Sequence, residues 1–179
     1  HPAHVEAPDR VAVLVQRQRP VEQLVPAHAV EVGGLCDVSD TADPCAAVFE
    51  TLKKAGVSLT PTLIVRKRRT ELDLPGILEL ARVDEMPEVV AQDWLARREH
   101  DLDTLSAKDW KARRTQFARE SALTTRAIEE GALVLAGTDA GDLFVPPGAS
   151  LHDELALLVQ AGMSEMQALR AATADATKV

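Results

Sequence analysis

Few residues in this chain have types that carry chemistry: five histidines, two cysteines and one aspartate set at the end of an apolar run. The aspartate is Asp139, in "LVLAGTDAGDLFVPPG", residues 133 to 148. The run before it reads as a buried strand of the kind found in parallel sheets. In parallel α/β folds, ligands bind beyond the carboxyl ends of the strands, and in barrels the catalytic groups stand on those ends. A carboxylate held there is a compact, hard oxygen ligand for a divalent cation and a base for cation-bound water. The plainer reading is a residue that starts a turn or caps a short helix, a common use of Asp. Gly137 and Gly141 flank it and allow close backbone approach or unusual φ/ψ values, and "PPG", 146 to 148, stiffens the loop that follows.

The histidines are His1, His4, His28, His100 and His152, and no two form an HxH pair. His1 and His4 lie at the start of the chain, where fraying weakens a ligand pair. His28 stands in "LVPAHAVEVGG", and His100 in "RREHDLD" reads as a solvated helix residue. His152 falls in the first turn of the helix after the Asp139 loop, where it supports or packs beneath the loop, and Asp142 lines a substrate entrance or is a plain loop carboxylate. Cys36 and Cys45 are too few for a disulfide framework and lack partners at zinc-site spacing; Cys45 reads as a small core residue.

Alternating elements position these groups. Residues 1 to 34 are cut by prolines and hold no sustained period, although "RVAVLVQRQ" has the makings of a strand. "DPCAAVFETLKKAG" reads as a helix, with Asp43 as N-cap, Pro44 at the first helical position, and Lys53 and Lys54 in the last turn before Gly56. "VSLTPTLIV", 57 to 65, follows as a strand, with "RKRR" at its solvated end, although Pro61 favours an edge or a bulge. Residues 75 to 130 are helical, with breaks near Pro87 and Ser106 and core anchors at Trp94 and Trp110. "ALVLAG" is the second buried strand. "SLHDELALLVQAG" has the spacing of a capping box, Ser150 with Asp153, and "SEMQALRAATADA" repeats it with Ser164 and Gln167. In the last segment Met166, Leu169 and Ala172 form the expected apolar stripe. The order α, β, long α, β, α, α is that of an α/β fold with parallel strands.

Bulk properties narrow the partners. A net charge of −8 argues against an electrostatic grip on nucleic acid or an anionic membrane surface. No apolar stretch approaches the ~20 residues of a membrane span. An anion site at the Gly141 turn is disfavoured locally, because "GTDAGD" has two carboxylates and no basic residue.

"LAGTDAG" followed by "PGASLHDELALLVQAGMSEMQALRAATADATKV" resembles the closing segment of the amidohydrolase superfamily. The branch it most resembles contains imidazolonepropionase and the metal-dependent dipeptidases that act on Xaa-Pro or Xaa-Arg peptides. "DPCAAVFETLKKAGVSLTPTLIV" is similar to the strand-seven region of that branch. The resemblance covers residues 35 to 179, leaving 1 to 34 as a poorly defined N-terminal segment. It implies a (β/α)8 barrel, one or two divalent metals (usually zinc) at its C-terminal face, and hydrolysis of a C–N bond in a dipeptide or cyclic amide. Asp139 matches the strand-eight aspartate, which ligates metal and takes the proton of the bound water. His28 falls where a strand-six ligand belongs, in "AHAVE" where the family has "EH" after a glycine-containing turn. Gly141, Asp142 and His152 fall on the substrate loop. The family's HxH pair is not in this sequence, and such a barrel needs about 250 residues. The expected architecture is therefore a partial TIM-type barrel, its C-terminal strands and helices only. Either an N-terminal half or a second copy would be its partner, and the alternative is a catalytically silent α/β module with a structural or interaction role.

Overall fold

The computed structural model describes residues 14–17 and 44–178. A small sheet lies against a largely helical body, so the chain is α/β in the broad sense. The sheet's parallel pair is β2 (Val57–Thr60) and β3 (Leu133–Val134), with Ser58 opposite Leu133 and Leu59 opposite Val134. β1 (Leu14–Arg17) lies on the other side of β2 and runs antiparallel to it, Leu14 opposite Thr60 and Arg17 opposite Val57. The strand signal in "RVAVLVQRQ" is thus real.

Helix α1 (Pro44–Lys54) precedes β2 and ends on its two lysines. Lys53 Nζ donates to the Glu130 carbonyl at 3.0 Å, which ties the end of α1 to the end of a later helix. Gly56 turns the chain into β2 with φ 62°, a left-handed value that costs glycine little. β2 is shorter than its sequence suggests. It stops at Thr60, Pro61 has no N–H to offer a ladder, Thr62 takes φ 48°, and α2 (Leu63–Glu71) begins. The apolar residues Leu63, Ile64 and Val65 therefore enter the core from a helix, not from a strand. "RKRR" is likewise not a solvated strand end. Arg68 is 1 % exposed on α2 and bridges Glu71 at 2.9 Å and Asp153 at 2.7 Å. Four consecutive basic residues on a helix face different neighbours, and Arg68 is the one turned fully inward.

The helical middle breaks where proline and serine predict. After α3 (Ile77–Leu80) and a 3-10 turn at Val83–Glu85 come α4 (Glu88–Thr104) and α5 (Ala107–Glu129). Pro87 stands just before α4, and Ser106 caps α5 in a reciprocal box with Asp109. Trp94 and Trp110 are both buried, in one cluster with Leu72, Ala81, Leu143 and Phe144. Leu95 and Leu102 lie on the outer side of α4.

Helices α6 (Ala149–Gln160) and α7 (Glu165–Ala171) close the chain. α7 has the expected Ser164–Gln167 capping box. α6 has none: Gly148 is its N-cap, Ser150 Oγ donates back to the Pro146 carbonyl at 2.6 Å, and Asp153 is taken by Arg68. The buried face of α7 is Ala168 and Ala171, while Met166 and Leu169 point outward. Small residues win because α7 packs close to α6 and to the chain beyond β3, whose Ala136 N–H donates to the Ala171 carbonyl at 3.2 Å.

The N-terminus of α2 lacks a cap from Thr62, whose side chain makes no bond to it. Glu154 of α6 does that work. Its carboxylate accepts from the Leu63 N–H at 3.1 Å and the Ile64 N–H at 2.7 Å, and the residue is wholly buried. Burial drives the Glu154 carboxyl upward against those two bonds, from 4.5 to about 7. The folded chain keeps this proton up to about pH 7, whereas the unfolded chain gives it up near 4.5. Folding therefore takes up a proton between those values, and stability falls as the pH rises through that window. Urea unfolding from pH 4.5 to 7.5 should show this decline in the parent chain and a flatter profile in Glu154→Gln. Glu154→Ala, which orphans two buried N–H groups, should cost about 3 kcal/mol.

Candidate functional site

The carboxyl ends of β2 and β3 meet at one edge of the sheet. Leu135 N–H donates to the Leu59 carbonyl at 2.8 Å, so the chain past β3 stays against β2. Gly137 allows that approach to continue: a Cβ there would lie 2.5 Å from Thr60 Cγ2. Two residues on, Asp139 stands beyond the strand end, exposed, with φ 49°. Asp tolerates this left-handed conformation better than most side chains. The position beyond the strand is the expected one; its side chain faces solvent.

From Asp139 the loop folds under itself. Asp142 N–H donates to the Asp139 carbonyl at 3.2 Å, Gly141 N–H to the Val145 carbonyl at 3.0 Å, and Val145 N–H to the Asp142 carbonyl at 3.0 Å. Gly141 has φ 106° and open space where a Cβ would sit. Glycine serves there for its backbone angle, and at Gly137 for proximity. Leu143, Phe144 and Val145 turn into the core, and Phe144 meets Trp94 edge-on at 5.6 Å. Phe144 takes φ 59°, a strained value for an aromatic residue, of order 1 kcal/mol or more, offset by its complete burial.

Asp142 is the best-connected polar group of the loop. It accepts from Arg69 Nη2 of α2 at 2.8 Å, from Arg97 Nη2 of α4 at 3.5 Å, and from its neighbour Leu143 N–H at 2.7 Å. Burial pulls its carboxyl upward, but the Leu143 N–H and the Arg69 and Arg97 guanidinium groups outweigh that and hold it below its ordinary value. This carboxylate anchors the loop to two helices.

The other expected site residues separate. His152 is exposed on the outer side of α6, so it does not pack beneath the loop. His28, the expected strand-six ligand, lies outside the described residues, as do His1 and His4. His100 is exposed on α4, as its surroundings in the sequence suggest. Among the described residues, no group of three or more His, Cys, Asp or Glu side chains is placed to hold a metal ion. Local sequence did not reveal Arg69, Arg97 or Glu154 as partners of the loop and of α2; a helical reading of "TLIVRKRRTE" would have turned Arg69 to a face of its own.

Comparison with protein-family models, curated proteins and solved structures finds no match to this chain.

Gly137→Ala should destabilise the chain by about 1–3 kcal/mol through overpacking against Thr60. Thr60→Ser, which removes the opposing methyl, should restore part of that loss. Chemical denaturation of both single variants and the double variant measures the coupling.

Proposed function

We propose that this chain is the C-terminal part of a metal-dependent amidohydrolase that hydrolyses a C–N bond in a dipeptide, amide or cyclic amide. Asp139 is its strand-eight carboxylate, and the chain alone is catalytically silent. The observation that carries the reading is the position of Asp139 just beyond the carboxyl end of β3, which runs parallel to β2. Catalytic groups of a barrel stand in that position. Solvent exposure of Asp139 is the condition of a ligand whose companion ligands belong to strands outside this chain. β1 comes from the segment before the resemblance begins. On this reading it takes antiparallel the edge of β2 where a barrel would have its preceding parallel strand.

The chemistry follows from charge and protonation. A divalent metal, zinc in most of the family, supplies hydroxide near neutral pH when bound. Asp139 gives an anionic oxygen for coordination and a base that receives the water's proton and hands it to the departing nitrogen. His28 is the candidate second ligand. Gly141 lets the loop turn sharply beside the site, and Asp142, already held by Arg69 and Arg97, fixes the loop's far side. His152, on the solvent side of α6, belongs to the entrance. A small substrate suits this arrangement; a polyanion does not, given the net charge of −8.

Two measurements test the proposal. Genomic sequence upstream of the coding region should encode, in frame, a first half with an HxH pair; a stop-bounded gene without it removes the hydrolase reading. A chimera that replaces the closing segment of an imidazolonepropionase-type barrel with residues 133–178 should bind zinc and hydrolyse its substrate. Asp139→Asn in that chimera should lower kcat by about a thousandfold, whereas His152→Ala should change it little. A folded, zinc-loaded chimera indifferent to Asp139→Asn would overturn the assignment.

A further inference from the structure

A cleft of about 400 Å³ lies between α2, α4 and α5. Three arginines line it, one from each helix: Arg69, Arg97 and Arg113. The clustering is unexpected in a chain with a net charge of −8. The carboxylates on hand do not use up these guanidinium groups. Arg69 and Arg97 share Asp142, on separate oxygens at 2.8 and 3.5 Å, while Arg113 Nη1 pairs with Asp101 at 2.8 Å. Asp93 comes no nearer to Arg97 than 3.6 Å and is largely in water. Among the described residues, Arg69 Nε and Nη1, Arg97 Nε, and Arg113 Nε and Nη2 have no hydrogen-bond partner.

Two of the three forks are held in place. Asp142 fixes Arg69. Arg113 is fixed by Asp101 and by the Trp110 ring, over which its guanidinium lies at 5.3 Å from the centroid. A ligand that meets pre-set forks has little side-chain order to impose, which favours binding. Guanidinium forks match the oxygens of carboxylate and phosphate. One fork satisfies a carboxylate; three forks from three directions suit a tetrahedral group with three free oxygens. The cleft also exceeds a bare phosphate in size, with a volume inside the range of small-molecule pockets. Ala96 and Leu143 give it an apolar wall, and His100 and Asp101, the latter paired with Arg113, complete its lining.

We propose that this cleft binds the phosphate monoester of a small organic molecule, with Arg69, Arg97 and Arg113 on the phosphate oxygens and the organic body against Ala96 and Leu143. The site is independent of Asp139 and of the hydrolase reading. No single segment of the sequence marks it, because its basic residues come from three helices and the acidic "GTDAGD" turn lies beside them.

Titration calorimetry of the whole chain in low salt, with phenyl phosphate, inorganic phosphate and benzoate as probes, tests the proposal. Phenyl phosphate should bind one to one, at least about tenfold more tightly than either other probe, a difference of about 1.4 kcal/mol. Arg113→Gln and Arg97→Gln should each weaken it about tenfold or more, and Met166→Ala, on the outer side of α7, should leave it unchanged. Arg113 also ties α5 to α4, so a melting curve accompanies that variant. Arg97 is half-exposed and holds Asp142 less closely than Arg69 does, and a melting curve accompanies its variant as well. No saturable heat from phenyl phosphate up to about 10 mM would overturn the site. So would binding undiminished in Arg97→Gln. Benzoate binding as tightly as phenyl phosphate would overturn the preference for a tetrahedral anion, and equal binding of inorganic phosphate would overturn the role of the apolar wall.

Discussion

The carboxyl group of Glu154 joins the two halves of this fold. It sits on α6, the helix that follows the Asp139 loop, and receives the first N–H groups of α2, the helix that follows β2. Helix starts leave N–H groups without internal partners, and burying them unpaired costs more than most tertiary contacts return. One side chain therefore fixes the position of α2 relative to α6. Around that contact Leu63, Ile64 and Val65 pack with Val145 and Leu157, so the apolar contacts and the polar one constrain the same pair of helices. Arg68, one turn along α2, adds a second tie to α6 through Asp153.

With α2 and α6 fixed, the loop between β3 and α6 has its ends fixed as well. Its conformation is otherwise unfavourable, with Asp139 and Phe144 both at positive φ. Burial of Leu143, Phe144 and Val145 and the grip of Arg69 and Arg97 on Asp142 hold it in that shape. The loop is thus an ordered segment that presents Asp139 and borders the arginine cleft at Leu143. Both functional proposals depend on this order, yet neither needs the other: one rests on a strand end, the other on three helices.

The parts of the fold that could be read from the sequence were those fixed by local rules. Pro87 and Ser106 mark helix boundaries whatever the tertiary context, and Gly56 and Gly131 end helices at positive φ. Ser164 and Gln167 are three residues apart on the same turn and make a box by themselves. Ser150 and Asp153 have the same spacing but different fates, because Pro146 offers a carbonyl to one and Arg68 a guanidinium to the other. "TPTLIV" misleads for a similar reason. Its β-branched residues favour a strand, but Pro61 interrupts the ladder and Glu154, 90 and 91 residues later, makes a helix start affordable. Asp139 was legible as a residue beyond a strand, although β3 stops at Val134, short of the apolar run's end at Gly137. The direction of its side chain was not, because that depends on neighbours beyond the local chain.

The sheet's edges bear on whether a fold with so few strands can stand alone. A strand removed from a barrel leaves unpaired backbone on each side, which invites association with other chains. Here β1 pairs with one side of β2 along four residues, and the Ala171 carbonyl of α7 takes the Ala136 N–H just past β3. Both flanks of the parallel pair are thus partly occupied by the chain itself. On the hydrolase reading, β1 must yield its place before a preceding barrel strand can pair with β2. Completion of the site is then an exchange of one strand for another, in which the hydrogen bonds of the β1 ladder are lost as those of the new one form. Such an exchange is close to balanced in hydrogen bonding, so the apolar surface buried by the incoming half has to decide it.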